Sequence, residues 1–300
     1  MTKKQQRFFI STYPALIALT YLIYTGVGLF LVIKNDAAVA GVKQRNEIQL
    51  NNSSKTFQDW CDEKDKLSPQ TQHTIEILLE FTREDSCLLA SRRLSKLTNL
   101  SLNFRNISDL RPISSLTNLT RLSLHQNNIS DLTPLSSLTN LRTLFLAGNQ
   151  ISDLSSLKSL TKLNQLILIN NQISDLSPLS ELTNLSELYL STNRLDDLEP
   201  ISSLTNLTKL HLNRNLISDL TPLSNLTNLR ELYLNRNRID NLRPLASLIN
   251  LKELSLNSNQ IIRAETLFNL PNLTEVYLHQ NPISQQFCPN NPEALCFINF

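Results

Sequence analysis

The chain has 300 residues, of which 41% are hydrophobic, and 28 basic and 26 acidic side chains give a net charge of +2. This even balance argues against a nucleic-acid-binding protein, which usually carries a basic stripe. With only four glycines and no nucleophile motif, glycine-rich phosphate loops and hydrolase chemistry are excluded, so we expect a non-enzymatic protein without cofactor or metal.

The N-terminal segment is strongly apolar, and residues 8–33 contain no charged side chain. At about 1.5 Å per residue, a helix of this length can cross a hydrocarbon core of about 30 Å. Three basic residues precede it, which by the positive-inside rule places the N-terminus in the cytoplasm. We therefore predict that residues 1–36 form a cytoplasmic tip and a single transmembrane helix. A signal peptide cleaved after Ala38–Ala40 is the alternative.

Two short regions follow before the repeats begin. Residues 37–56 are polar and predict a flexible tether. Residues 57–93 are predicted to form a helical N-terminal cap, in which Ser68 and Pro69 have the sequence typical of a helix start. A second helix is predicted from about Ser86 to Arg93.

A 22-residue unit recurs through residues 94–281 without insertion. In the unit at 116–135, the alternation of Leu122 and Leu124 predicts a short strand with one buried face. A fixed period of this length indicates a repeat solenoid, in which each coil stacks on the next. Copies begin at Leu94, Leu116, Leu138, Leu160, Leu182, Leu204, Leu226 and Leu248, and a truncated copy begins at Leu270.

Two polar columns within the repeats are interpreted as parts of the scaffold. Asn127 and its equivalents follow the strand, where an amide can bind backbone groups of neighbouring coils. Asp131 and its equivalents precede the return segment and are predicted to cap one helical turn. Pro134 and its equivalents prevent that turn from extending into a long helix.

The repeat Leu-Thr-Asn-Leu-x-x-Leu-x-Leu-x-x-Asn, with Ile-Ser-Asp-Leu-x-Pro-Leu after it, is the leucine-rich repeat signature. It resembles the repeats of internalin-type bacterial surface proteins and is also similar to those of a eukaryotic regulatory subunit of protein phosphatase one. The resemblance spans residues 94–281. It implies an α/β leucine-rich repeat solenoid, with a curved parallel sheet and a short helical or irregular convex side.

Four cysteines lie outside the repeats, namely Cys61, Cys87, Cys288 and Cys296. The coils between the two pairs span roughly 40 Å, whereas a disulfide requires Cα atoms within about 7 Å. The feasible bridges are therefore Cys61–Cys87 and Cys288–Cys296, each securing one end of the solenoid. Residues 282–300 are accordingly predicted to form a C-terminal cap, whose closing motif resembles that of membrane-anchored bacterial leucine-rich repeat proteins.

The concave face of the curved sheet is the predicted site of function. Large residues occupy consecutive exposed positions there, and such residues on a solvated face tend to mark interaction sites. Strand propensity alone is the alternative explanation. The candidate ligand-binding residues are Phe145, Ile167, Tyr189, His211 and Tyr233 in one column, with Arg214 and Arg236 at the rim.

These features predict a membrane-tethered recognition module that binds a protein partner through its concave face, outside the cytoplasm, in the periplasm or at the cell surface. A cell-envelope glycan is the alternative ligand. Two further hypotheses are an intracellular regulatory subunit of an enzyme such as a protein phosphatase, and a structural spacer without a specific ligand.

Overall fold

The computed structural model describes residues 55–283 throughout, together with the backbone of three strands at 21–25, 28–32 and 295–297. The chain divides into two units, Met1–Asn52 and Ser53–Phe300.

The first unit contains a hairpin of two strands, β1 (Tyr21–Thr25) and β2 (Gly28–Val32), which pair antiparallel. The prediction of a helix is wrong at these positions. Their β-branched and aromatic residues favour strands, and Gly26 and Gly28 are residues of a type common at chain reversals. Among the described residues, no helix is long and apolar enough to cross a membrane. The remainder of the predicted anchor lies outside the described residues.

Three α-helices begin the second unit, and two of them confirm predictions. The side chain of Ser68 accepts a hydrogen bond from the Thr71 amide at the start of the second helix, with Pro69 as its first residue. The first helix was not predicted, although Thr56 and Asp59 form a capping box at its start. The helices are α1 (Phe57–Asp62), α2 (Pro69–Thr82) and α3 (Cys87–Leu94), with a 3₁₀ turn at Lys64–Lys66.

A disulfide between Cys61 and Cys87 joins the first and third helices, with Cα atoms 5.6 Å apart. This confirms one of the two predicted bridges. Cys288 lies outside the described residues, and the bridge from it to Cys296 stays a prediction. The disulfide ties α1 to α3 and so holds the cap together.

The cap docks on the first coil through a buried polar network. The hydroxyl of Thr71 donates to Asp109 Oδ2 at 2.6 Å, and that of Thr74 donates to the Asp109 carbonyl at 2.8 Å. Burial opposes ionisation of Asp109, but hydrogen bonds from Arg111 and Thr71 outweigh it and lower the pKa of this carboxyl. The guanidinium of Arg111 also lies 5.4 Å from the ring centre of the buried Trp60. The cap therefore shields the apolar end of the solenoid.

Ten short strands form one parallel sheet in which spatial order follows chain order. Each strand is three residues long because only the segment around the alternating leucines is extended. The strands are β3 (Asn99–Ser101), β4 (Arg121–Ser123), β5 (Thr143–Phe145), β6 (Gln165–Ile167), β7 (Glu187–Tyr189), β8 (Lys209–His211), β9 (Glu231–Tyr233), β10 (Glu253–Ser255), β11 (Glu275–Tyr277) and β12 (Leu295–Phe297).

The core of the solenoid consists of stacked leucine and isoleucine columns, nearly all with no exposed surface. The asparagine column satisfies the backbone where each coil turns inward, as predicted. Asn149 Oδ1 accepts from the Ile129 amide at 3.1 Å, and its Nδ2 donates to the carbonyls of Leu124 and Leu146 at 3.0 and 2.9 Å. Each asparagine thus links two coils.

On the opposite side of each coil, the chain returns through a 3₁₀ turn. Asp131 Oδ1 accepts the amide of Thr133, the first residue of such a turn, at 2.8 Å. This confirms the capping role of the aspartate column, although Leu132 occupies the formal N-cap position. The turns are Arg111–Ile113, Thr133–Ser137, Ser155–Ser159, Ser177–Leu179, Glu199–Ile201, Thr221–Asn225, Arg243–Ser247 and Glu265–Asn269.

Candidate binding face

Each of the strands from β3 to β11 directs its central residue into the core and its first and third residues to the concave face. From β3 to β11, neighbouring strands pair residues 22 positions apart, so equivalent residues form columns that run across the coils. The residue two positions after each strand continues the same face. We refer to these as the first, third and fifth columns, in which neighbours are about 4.8 Å apart.

The third column contains a cluster of three rings. The imidazole of His211 lies edge-on between two phenol rings, with centroids 4.5 Å from Tyr189 and 4.2 Å from Tyr233. The interplanar angles of 71° and 69° are the T-shaped geometry that aromatic pairs favour. The structure thus brings three of the predicted site residues together, and we call them the aromatic cluster.

His211 is held neutral by its surroundings. Burial lowers its pKa to about 4, against the opposing field of Glu231. Its Nε2 atom is buried and makes no hydrogen bond within residues 55–283. The imidazole therefore contributes an uncharged packing surface at pH 7.

The pKa of His211 predicts that stability falls as the pH drops from about 6.5 to about 4. In this window the unfolded chain, with a histidine pKa near 6.5, binds a proton that the folded chain does not, so the free energy of unfolding decreases. The lowered pKa of Asp109 acts in the same direction but at lower pH. We expect the melting temperature to fall further between about pH 7 and 4.5 in the natural protein than in His211→Phe. Equal falls would contradict this assignment.

The tyrosines of the face are bonded to glutamates of the first column. Tyr189 donates to Glu187 at 2.9 Å, and Tyr233 donates to Glu253. Burial, followed by these hydrogen bonds, raises the pKa of both phenols, which remain protonated donors. Gln165 also donates to Glu187, at 2.7 Å. These bonds fix where the rings and carboxylates lie.

Phe145 does not face solvent, and that expectation is wrong. The side chain is only 8% exposed. The ring of His125 stacks on it at 5.2 Å, and the guanidinium of Arg121 lies 4.5 Å from its centre. Because the preceding coil covers the ring, replacing Phe145 would remove packing as well as any contact with a ligand.

The remaining predicted residues lie around the cluster. Ile167 is half-buried on the strand beside Tyr189. Arg214 and Arg236 are exposed at the rim, with left-handed φ of 56° and 57°. Neither arginine is paired with a carboxylate in the range 55–283. Both guanidinium groups are therefore available to a partner.

The fifth column contains a ladder of side-chain acceptors that sequence analysis missed. Asn103 Oδ1 accepts the amide of His125 at 2.8 Å, one coil further along. In the same way Asn235 Oδ1 accepts the amide of Asn257 at 2.7 Å. The other acceptors of this ladder are His125, Ser191, Asn213 and Asn257.

The ladder is interrupted at Ala147 and Ile169, whose side chains have no acceptor atom. The amides of Ile169 and Ser191 consequently donate no hydrogen bond to any acceptor in the part of the chain spanning 55–283. We call Ala147, Ile167 and Ile169 the ladder gap. In the sequence the gap is visible at Ala147 and Ile169, which are apolar where the other coils have asparagine, serine or histidine in the fifth column. The gap adjoins Tyr189, so the apolar break and the aromatic cluster form one continuous surface.

The surface offers packing and hydrogen bonding rather than catalytic groups. Within the described residues, no group of three or more histidine, cysteine or acidic side chains could hold a metal ion. Phenols kept protonated and a histidine kept neutral are poor candidates for proton transfer near pH 7. The arrangement suits recognition of another molecule.

Family models identify the repeats. Residues 95–137, 139–181, 161–203 and 205–247 match the model described as Leucine Rich repeats (2 copies), and residues 227–283 match the model described as Leucine rich repeat. These matches cover more than half of the chain. The chain belongs to the leucine-rich repeat family. Proteins of this fold are typically modules of protein–protein interaction, and relatives such as internalins are generally non-enzymatic.

Solved structures place this leucine-rich repeat protein near the internalins. An internalin (inlF) from Listeria monocytogenes is 31% identical with a TM-score of 0.64, and the match covers 73% of each chain. Internalin C2 from the same organism is 37% identical with a TM-score of 0.64, over 68% of this chain and 91% of that chain. No curated protein matches the chain.

A plant receptor is also similar. The ectodomain of the receptor kinase GASSHO1/SCHENGEN3 from Arabidopsis thaliana is 26% identical with a TM-score of 0.54, over 62% of this chain and 24% of that chain. That structure is a complex with CASPARIAN STRIP INTEGRITY FACTOR 2.

Proposed function

We propose that this leucine-rich repeat protein is a membrane-tethered, non-enzymatic recognition module that binds a protein partner outside the cytoplasm. The observation that carries the proposal is the ladder gap. Elsewhere on the concave face the fold binds its own amides, whereas at the gap it presents apolar side chains and two free amides beside the aromatic cluster. A partner can bury the former and supply acceptors to the latter.

The similarity to other repeat proteins supports a protein as the partner. The plant receptor ectodomain was solved with a bound factor, and internalins share the repeat type and much of the length of this chain. A glycan would be favoured by polar side chains with free donors and acceptors. The gap instead consists of alanine and isoleucine, which suits apolar side chains of a protein.

The disulfide supports a location outside the cytoplasm, because such bonds persist in oxidising compartments. The uncharged apolar stretch at residues 8–33 is the proposed membrane anchor. A fusion of alkaline phosphatase after Phe300 tests this topology, since the enzyme is active only outside the cytoplasm. We expect an active fusion that sediments with membranes. Activity of a cytoplasmic reporter at the same position would favour the intracellular regulator instead.

Restoring the ladder is the sharpest test of binding. The double variant Ala147→Asn with Ile169→Asn gives both coils the residue found at Asn213 and Asn235, whose side chains accept the next amide. We expect the free energy of unfolding of this variant to lie within about 1 kcal/mol of the natural value. Each new hydrogen bond contributes about 1 kcal/mol, which offsets the loss of apolar contacts. Partner capture, measured by quantitative mass spectrometry, should be lost.

The matched control is Lys158→Asn, an exposed position in a 3₁₀ turn on the opposite side of the solenoid. Its set of captured proteins should equal that of the natural chain. Capture that survives restoration of the ladder would remove this surface as the binding site. Absence of any specific capture by the natural chain would leave the structural spacer as the better account.

A further inference from the structure

The first column changes character along the solenoid. In the N-terminal coils it is neutral or basic, with Asn99, Arg121, Thr143 and Gln165. From β7 onward it is mainly acidic, and the carboxylates lie beside the aromatic cluster. We call Glu187, Glu231, Glu253 and Glu275 the acidic edge.

Like charges face one another along this edge. Glu231, Glu253 and Glu275 are in register on three adjacent strands, where side chains are about 4.8 Å apart. Such an arrangement is unfavourable unless a cation relieves it. Among residues 55–283, only Glu231 of these three has a paired cation, the ammonium of Lys209 at 3.0 Å. No lysine or arginine of residues 55–283 lies within 4.0 Å of Glu253, including the nearby Arg230 and Lys252.

The carboxylates of the edge raise the pKa of Lys209. Its hydrogen bond to Glu231 raises the pKa, and the charges of Glu231, Glu187 and Glu253 raise it further. The phenols of Tyr189 and Tyr233 point at the edge and hold two of its carboxylates in place. A carboxylate that accepts one phenol hydrogen bond retains further acceptor sites for an incoming cation.

We infer that arginine side chains of the protein partner bind the acidic edge while its apolar side chains enter the ladder gap. This inference rests on the proposed function. Fixed carboxylates beside aromatic rings match a planar guanidinium, which binds carboxylates bidentately and stacks on rings. Nucleic acids and anionic lipid surfaces are repelled by the same field. The described residues also offer no cluster for a metal ion.

Synthetic peptides test the charge requirement with the full-length protein. The probe is a fluorescein-labelled peptide of about ten residues, roughly 33 Å when extended, in which arginine alternates with leucine. A second peptide has glutamine in place of each arginine. By fluorescence anisotropy we expect the arginine peptide to bind at least about tenfold more tightly, and its affinity to weaken as NaCl rises from about 0.05 to 0.5 M.

The variant Glu253→Gln with Glu275→Gln should weaken binding of the arginine peptide by about tenfold. Its control, Glu199→Gln with Glu265→Gln, removes the same charge from exposed 3₁₀ turns on the opposite side and should bind as the natural protein does. A melting temperature of the first variant equal to or above the natural value would show that its fold is intact.

Equal affinities for the two peptides, no binding of either, or equal weakening by both variant pairs would overturn the inference. Self-association that disappears in Glu253→Gln with Glu275→Gln would overturn it too, because the occupant would then be a second copy. If the ladder-restoring variant abolishes partner capture while the glutamate variant leaves it intact, the proposed function stands and only the charge requirement fails.

Discussion

Replacing Cys61 and Cys87 together by serine is expected to lower the free energy of unfolding by about 3.5 kcal/mol. The bridge joins residues 26 positions apart. Closing a loop of this length lowers the conformational entropy of the unfolded chain, and at 25 °C this entropy corresponds to the stated free energy. The loss of stability affects mainly the cap, which covers the first coil. Because solenoids require covered ends, the first coils should also become less protected.

Urea unfolding followed by the fluorescence of Trp60, the only tryptophan, reports directly on the cap. The midpoint should shift to lower urea in the variant, and the natural protein treated with a reductant should shift by a similar amount. Ser86→Ala, which removes the N-cap of α3 but keeps the bridge, is a useful reference and should cost only about 1 kcal/mol. A double serine variant as stable as the natural protein would refute a structural role for the bridge.

Asn149→Ala is expected to lower the free energy of unfolding by about 3 kcal/mol. This is the second of the two largest effects that we expect. The amide satisfies one backbone donor and two backbone acceptors between coils, and the residue is buried. Alanine leaves the Ile129 amide unpaired, which costs about 1–3 kcal/mol for a buried group. It also removes one hydrogen bond from each carbonyl, although Asn127 still donates to Leu124 and Asn171 to Leu146. The adjacent Gln150 is exposed, so Gln150→Ala should change stability by less than about 0.5 kcal/mol.

Hydrogen exchange identifies the coils affected by Asn149→Ala. The amides of Ile129 and the neighbouring coils should exchange faster, while those near β10 and β11 keep their protection, since repeats contact mainly their neighbours. Uniform loss of protection along the whole solenoid would indicate all-or-none unfolding and would contradict this local picture.

Most of the solenoid was predictable because its signals are periodic. The 22-residue spacing determines which residues pair across strands, and Leu122 with Leu124 identifies the buried face of every coil. The asparagine and aspartate columns were predictable from the hydrogen bonds that a turning backbone requires. The sheet and its 3₁₀ turns follow from these rules.

Other features depend on contacts that a periodic pattern does not encode. The helix at Phe57–Asp62 is too short to show an apolar stripe. The strands at 21–25 and 28–32 occur in an apolar run that is compatible with helix as well. Phe145 is covered because His125 and Arg121 of the preceding coil fold over it, which depends on side-chain conformation.

The candidate site was found only in part. The aromatic cluster was predicted from the third column, because large aromatic residues are unusual on a solvated sheet face. The apolar character of Ala147 and Ile169 is visible in the sequence, but their role as a break in a hydrogen-bond ladder follows only from the bonds of the other coils. The glutamates of the acidic edge can be read from the 22-residue spacing, but which of them lack a neutralising cation depends on the distances between side chains.

The most direct test of the proposed binding surface is photo-crosslinking in living cells that produce the full-length protein. Benzoylphenylalanine introduced at position 169, within the ladder gap, should form a discrete crosslinked product with a protein partner on illumination. The same group at position 158, on the opposite side of the solenoid, should give none. Crosslinking from position 158 with none from position 169 would contradict recognition through the concave face.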